Sequence, residues 1–164
     1  VNGLFLGNAR SGAPGAGGTW SGTITLTYDV GGGGFYGWSG GTSPEGDSTG
    51  DGVENGVAWT LGAADPSENA IGLLPAFDNS SDPEFAIFSF NRADAAADDV
   101  NTTIVAEFSS DLSEWTTAED DGTDVIVETT DGSPSDAVAV KLRRSAFATD
   151  GKLFMRLRVT ITNP

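Results

Sequence analysis

The chain contains neither cysteine nor histidine in its 164 residues. Without cysteine it can hold no disulfide and no thiolate metal site. Without histidine it lacks the commonest general base, the proton shuttle and the usual transition-metal ligand. Every triad built on histidine is excluded. No other specific catalytic motif stands in its place, so the sequence reads as non-catalytic. With 24 acidic residues, close carboxylate pairs arise by chance and do not by themselves indicate a glycosidase. Basic residues are also scarce: 8 Lys and Arg stand against 24 Asp and Glu, a formal net charge of −16. Such a chain repels nucleic-acid phosphates and anionic lipid, so no nucleic-acid partner is expected. No apolar run is long enough to span a bilayer, and no membrane insertion is expected. The chain starts at Val1 with no visible signal peptide, which reads as a mature chain or a piece of a longer one.

What is present is acid, glycine and alternating strands. The acidity suits solvation in salty surroundings and attracts hard cations such as calcium. The few cations are concentrated: Lys141, Arg143, Arg144, Lys152, Arg156 and Arg158 all lie in the last quarter. An acidic body therefore carries a basic C-terminal hairpin, a polarity suited to head-to-tail contacts or to pairing within the fold. Nineteen of the 23 glycines lie at or before Gly62, so the first third is punctuated and loop-rich.

Strand signals follow a period of two. In Trp20–Val30, Ile24, Leu26 and Tyr28 alternate with Thr23, Thr25, Thr27 and Asp29. Later strands are expected at Phe85–Phe90, Thr102–Phe108, Asp124–Thr129, Ala137–Leu142 and Lys152–Ile161. In the last, Leu153, Met155, Leu157, Val159 and Ile161 face one way, and Phe154, Arg156, Arg158 and Thr160 the other. Turn pairs separate these runs: Asp78-Asn79, Asp121-Gly122, Asp131-Gly132 and Asp150-Gly151. This spacing predicts an all-β fold, an antiparallel sandwich of jelly-roll or immunoglobulin-like kind. One short helix is expected over Val53–Leu61, where Val53, Val57 and Leu61 recur at helical spacing and Gly62 stands at the C′ position. Two units are expected, residues 1–80 and residues 81–164, with a shared core left open.

Three phrases occur in a distinctive order. They are Gly46-Asp47-Ser48-Thr49-Gly50-Asp51-Gly52-Val53-Glu54-Asn55-Gly56-Val57-Ala58-Trp59-Thr60-Leu61-Gly62, then Glu107-Phe108-Ser109-Ser110-Asp111-Leu112-Ser113-Glu114-Trp115-Thr116, then Gly151-Lys152-Leu153-Phe154-Met155-Arg156-Leu157-Arg158-Val159. This order resembles the C-terminal region of large secreted proteins of the planctomycete–verrucomicrobial type. There, a degenerate dockerin-like calcium loop precedes a short helix and a β-sandwich module. The resemblance covers about residues 38–162. It implies a secreted accessory or structural part, located outside the cell or at its surface.

The first phrase also follows calcium-loop spacing. Asp47, Thr49 and Asp51 fall at positions 1, 3 and 5, Gly52 at the turn, the Val53 carbonyl at position 7 and Asn55 at position 9. Thr49 is a neutral ligand, and Ala58 replaces the bidentate glutamate at position 12. Glu45 or Glu54 could supply a carboxylate instead. The loop is read either as a Ca2+ site or as a turn that has kept its shape without the metal.

Other candidates are contact surfaces. Leu4-Phe5-Leu6 is a short apolar piece that could add as a strand to a neighbouring subunit. Phe35, Tyr36 and Trp38, flanked by glycines, form a candidate aromatic binding patch. Trp59 and Trp115 lie in apolar segments and are expected in the core. Asn79-Ser80-Ser81 and Asn101-Thr102-Thr103 match the glycosylation acceptor pattern, a common chance match. The leading expectation is a structural protein that self-associates into a filament, sheath or surface layer. Alternatives are an adhesive module with a polysaccharide partner, and a C-terminal sorting or spacer domain.

Overall fold

The computed structural model describes residues 33–163. The Leu4-Phe5-Leu6 piece and the Trp20–Val30 strand lie outside the described residues. The elements run α1 (Phe35–Ser39), α2 (Asn55–Thr60), a 3-10 turn (Ile71–Leu73), β1 (Ala76–Asp78), β2 (Phe85–Ala93), α3 (Asp94–Ala97), β3 (Thr102–Ser109), β4 (Thr116–Thr117), β5 (Val125–Thr130), β6 (Ser135–Arg143), α4 (Arg144–Phe147) and β7 (Phe154–Ile161). The strands form two antiparallel sheets, ordered β1-β2-β6-β5 and β4-β3-β7. This is the all-β class that the alternation predicts.

The core follows from that alternation. On β2, Ala86, Phe88 and Phe90 are buried; on β6, Val138, Val140 and Leu142 are buried. The register sets Phe88 opposite Val140 and Phe90 opposite Val138, so the bulky side chains pack across the strands. In the second sheet, Ile104, Ala106 and Phe108 stand opposite Val159, Leu157 and Met155. Ala106 is buried, and Ile104, Phe108, Met155 and Leu157 pack against the same cluster as the first sheet's phenylalanines. Each large side chain removed from water there contributes roughly 1.5–3 kcal/mol before entropy is counted. Arg92 and Asp136 share this inward face beside Phe90 and Val138. Their charges meet at 2.7 Å, with Asp136 buried.

The chain changes sheets three times, once through the loop from β4 to β5 and twice through four-residue helices. β2 leads through α3 into β3, and β6 leads through α4 into β7. Because β2 and β6 are antiparallel, the two helical crossovers lie at opposite ends of the sheets. The Asp150-Gly151 turn before β7 takes positive φ at both residues, 53° and 73°. Thr149 and Lys152 exchange backbone hydrogen bonds across it, as a primed hairpin turn requires.

The helix is shorter than its periodicity predicts. Val53 and Glu54 are outside it, and Glu54 is extended at the N-cap. Its end is as expected: Gly62 takes φ +95°, its N–H reaches the Trp59 carbonyl at 3.1 Å, and the Ala63 N–H reaches Ala58 at 3.0 Å. Six residues form too few hydrogen bonds to persist alone, so packing must hold them. Trp59 is 3% exposed and Leu61 is 2% exposed. Gly56 permits the close seat of α2, since a Cβ there would meet Ile161 Cδ1 at 3.0 Å and the Pro44 carbonyl oxygen at 3.3 Å. β1 and β4 carry no clear period-two signal and arise from pairing with β2 and β3.

Leu61 lies in the same cluster as Phe88, Val140 and Leu142, and β1 pairs with β2. Residues 35–80 therefore share a core with the sheets among the described residues. Leu61→Ala is expected to lower stability by about 3 kcal/mol. Urea unfolding followed by tryptophan fluorescence and by circular dichroism should show one coincident transition for the variant. A local transition that leaves the sheets at wild-type stability would refute the shared core.

Candidate functional site

Three groups of side chains carry chemistry, each positioned differently. The first is the acidic loop before α2. Asp47 Oδ1 accepts from the Gly50 N–H at 2.8 Å, the Asp51 N–H at 3.3 Å and the Thr49 hydroxyl at 3.2 Å. Its Oδ2 accepts from the Gly52 N–H at 2.8 Å. Asp51 accepts from the Val53 N–H at 2.8 Å and, across the loop, from the Ala70 N–H at 2.7 Å. Buried Asn55 accepts from the Ser48 N–H and donates to the Ser43 carbonyl. Gly50 and Gly52 supply the positive φ this wrap requires, 73° and 87°.

Asp47, Thr49, Asp51, Val53 and Asn55 are thus joined in one hydrogen-bonded loop. Their side-chain oxygens face the loop's own donors. The Gly52 N–H chiefly holds the Asp47 carboxyl below the usual carboxylate range, and the Val53 N–H does the same for Asp51. Among the described residues, no three acidic side chains are gathered in a way that could hold a metal ion. A cation entering this loop would compete with backbone amides for the same oxygens.

The second group is Phe35, Tyr36 and Trp38 on α1. Phe35 is 1% exposed, with Tyr36, Trp38 and Trp59 ring centroids 5.4, 5.8 and 5.7 Å away. Trp38 is half-buried, and its indole N–H donates to the Ala63 carbonyl at 2.9 Å. The three rings come together, but Phe35 is interior and Trp38 is tied across to the chain after α2. They anchor α1 on α2. Their flanking glycines indicate freedom of backbone and carry no signal of this burial.

The third group is one that sequence spacing does not reveal. On the outer face of the second sheet, Glu107 is 5% exposed although charged. Arg156 Nε approaches its Oε2 at 2.8 Å, Arg156 Nη2 reaches the same oxygen at 2.7 Å, and Arg158 Nε reaches Oε1 at 2.7 Å. The Arg156 guanidinium lies 4.0 Å from the centroid of the Trp115 ring. Trp115 is half-buried there, outside the core expected for it. Register explains the meeting: Glu107 pairs with Arg156 and Val105 with Arg158, so alternate residues of β3 and β7 share one face. Glu107 and Trp115 come from one phrase of the resemblance, and Arg156 and Arg158 from another. Burial alone would raise the Glu107 pKa, but hydrogen bonds from Arg158 and Arg156 outweigh it and hold it below the usual range.

The sheet edges also differ. The outer edge of β5 is covered by its preceding loop: the Asp121 N–H donates to the Val125 carbonyl at 3.0 Å, and the Val127 N–H donates to Asp120 at 3.3 Å. β1 has three residues and β4 has two. β7 has eight, and among the described residues it pairs with β3 alone.

Elsewhere, aspartates cap turns. Asp111 accepts from the Ser113 N–H, the Ser113 hydroxyl and the Glu114 N–H; Asp121 accepts from the N–H groups of Val125, Thr123 and Asp124. Both carboxyls are held well down by these donors. Folded carboxylates of lowered pKa bind protons less readily than unfolded ones. Their stabilisation is complete above the unfolded value, 3.8 for aspartate, and is lost as pH falls through the folded values. Thermal melting is expected to vary little in this respect between pH 7 and pH 5 and to fall steeply from about pH 4 downward. A melting temperature indifferent to acid down to about pH 2 would contradict these hydrogen bonds.

Glu107→Ala leaves two guanidiniums without their carboxylate, but both are nearly half exposed and can be solvated, so it is expected to cost about 1–2 kcal/mol. Glu107→Gln should cost less, because its amide oxygen still accepts. Equal stability of both variants and wild type in urea would refute the cluster's structural role. Comparison with protein families, with characterised proteins and with solved structures gives no match to this chain.

Proposed function

We propose that the chain is a non-catalytic structural subunit acting outside the cell, one that self-associates by addition of a strand from a neighbouring copy. The observation that supports this most directly is the β7 edge. An unprotected edge offers a row of backbone donors and acceptors, and proteins ordinarily blunt long edges. The Asp120-Asp121 segment blunts β5. β7 keeps eight residues, with α2 and the loop before it lying beside its Val159–Ile161 end. Leu4-Phe5-Leu6 of another copy is the donor this reading assigns, its main chain giving affinity and its apolar side chains giving register. The two sheets are read as a sandwich of jelly-roll or immunoglobulin-like kind. Secretion agrees with the acidic, cysteine-free composition and with the resemblance. Calcium bracing at Asp47, Thr49, Asp51, Val53 and Asn55 belongs to the same proposal and is separately testable.

Light scattering on the full chain, with calcium and then with chelator, tests the reading. Large particles are expected from wild type, and deletion of residues 1–7 is expected to leave monomers. A wild-type monomer at all concentrations, or particles unchanged by the deletion, would overturn strand addition. Particles insensitive to both calcium and chelator would remove the metal from the proposal.

A further inference from the structure

We propose that the Arg156–Arg158 face of one copy docks against the acidic loop of a second copy, at Glu45 and Glu54. This contact rests on the self-association proposed above and adds its polarity. The cationic side is distinguished by how its charges are shared. Arg92 meets Asp136, Lys141 meets Glu128, and Arg143 meets both Glu84 and Asp124, while among the described residues Arg144 is held by Asn79 and the Asp82 carbonyl and Lys152 makes no ion pair. Arg156 and Arg158 instead share the single carboxylate of Glu107, which leaves the cluster one positive charge in excess. Their side chains remain 45% and 46% exposed. Glu107 takes Nε of each and Nη2 of Arg156, and Arg158 Nη1 donates to Thr160 at 3.5 Å, so Nη1 of Arg156 and Nη2 of Arg158 retain N–H donors for a second acceptor. Trp115 beneath Arg156 and Glu107 between the two forks hold the arginines in place, which lowers the entropy lost on docking.

The anionic side follows from the distribution of charge. Residues 33–91 carry nine Asp and Glu and no Lys or Arg, residues 93–134 carry twelve and likewise no Lys or Arg, and residues 135–163 carry six basic and two acidic residues; within the first stretch, the loop before α2 lies beside β7. Asp47 and Asp51 spend their oxygens on their own loop. Glu45 and Glu54 are exposed on the same loop. Glu45 accepts only a short bond from the Ser43 hydroxyl, which also holds its carboxyl below the usual range. The two glutamates line a cavity of about 210 Å³ with Pro44, Val57 and Ile161, beside the end of β7. One molecule thus presents a carboxylate pair near one end of the second sheet and a guanidinium pair on that sheet's outer face. Like charge elsewhere on a chain of −16 opposes random association, and a match of guanidinium pair to carboxylate pair favours a head-to-tail orientation.

The test uses the full chain and reads association and folding separately. Glu45→Gln/Glu54→Gln removes the acidic side without touching the arginine cluster. Arg158→Gln removes the excess charge while Arg156 stays on Glu107. Each is expected to weaken association by about tenfold or more in light scattering; Glu45→Gln/Glu54→Gln should melt close to wild type, and Arg158→Gln below it but still folded at the assay temperature. Raising NaCl from about 50 to about 500 mM should weaken wild-type association and leave the Gln variants less sensitive. A reciprocal pair is decisive: Arg158→Glu and Glu54→Arg should each associate poorly alone and recover when mixed. Wild-type particles with every variant equally associated would overturn this contact and leave strand addition standing. Wild-type monomers would overturn both, and loss of association on deletion of residues 1–7 alone would retain only strand addition.

Discussion

The pairing of β2 with β6 is the constraint on which the rest depends. It sets Phe88 against Val140 and Phe90 against Val138 on one face, and it leaves Ser89 and Ala139 on the other. A slip of one residue would turn the inward apolar side chains of the slipped strand to solvent and, on β6, bring the Lys141 and Arg143 positions inward. The same register aligns Arg92 with Asp136, so the one ion pair on the inward face forms only when the apolar pairs are correct. Buried ion pairs of this kind add little net stability, but an unpaired Arg92 or Asp136 would be costly. Specificity and burial therefore favour the same alignment. Once β2 and β6 are fixed, α3 and α4 deliver β3 and β7 to the second sheet, where Glu107 meets Arg156 and Arg158.

Acidity in this chain has a local use before it has any external one. Asp47, Asp51, Asp111 and Asp121 each accept N–H groups from the two to five residues that follow, and Asp51 accepts from Ala70 as well. Backbone donors in loops must find acceptors, and a carboxylate at the start of a turn supplies two oxygens. This accounts for many aspartates without any ligand. It also explains why calcium-like spacing and turn-capping geometry look alike in a sequence. Both need Asp at short intervals with glycine at the bend, and the difference lies in where the oxygens point.

The strands were largely legible because their signal is periodic and local. β7 alternates over its whole length, and the observed exposure of Arg156, Arg158 and Thr160 against half-buried Leu157, Val159 and Ile161 follows that pattern. The end of α2 was legible through Gly62, whose left-handed backbone glycine accommodates best. β1 and β4 were not, since three or two residues have no period to read and form through their partners. The aromatic cluster was only half legible. Sequence places Phe35, Tyr36 and Trp38 together, but burial of Phe35 depends on Trp59, 24 positions away, and on the seat of α2. Trp115 is expected in the core, yet only the register of β3 with β7 decides its surroundings, by bringing Arg156 over its ring. Interactions set by register across distant strands leave no mark on local spacing.

Charge and edge together make the second sheet the half of the molecule with interactions to spare. In the first sheet, Lys141 and Arg143 spend their charge on Glu128, Glu84 and Asp124, and the outer edge of β5 is covered. In the second, β7 carries two guanidiniums on one carboxylate, and its outer edge has no partner strand among the described residues. Arginines flanking an open edge usually discourage pairing, because like strands would bring like charges together. Here that same repulsion acts against β7 pairing with β7 of another copy, since Arg156 and Arg158 would face their equivalents. It does not act against a neutral apolar segment such as Leu4-Phe5-Leu6 or against an acidic loop. The arrangement therefore discourages the symmetric dimer and leaves open the head-to-tail contact, which is the geometry that propagates rather than closes.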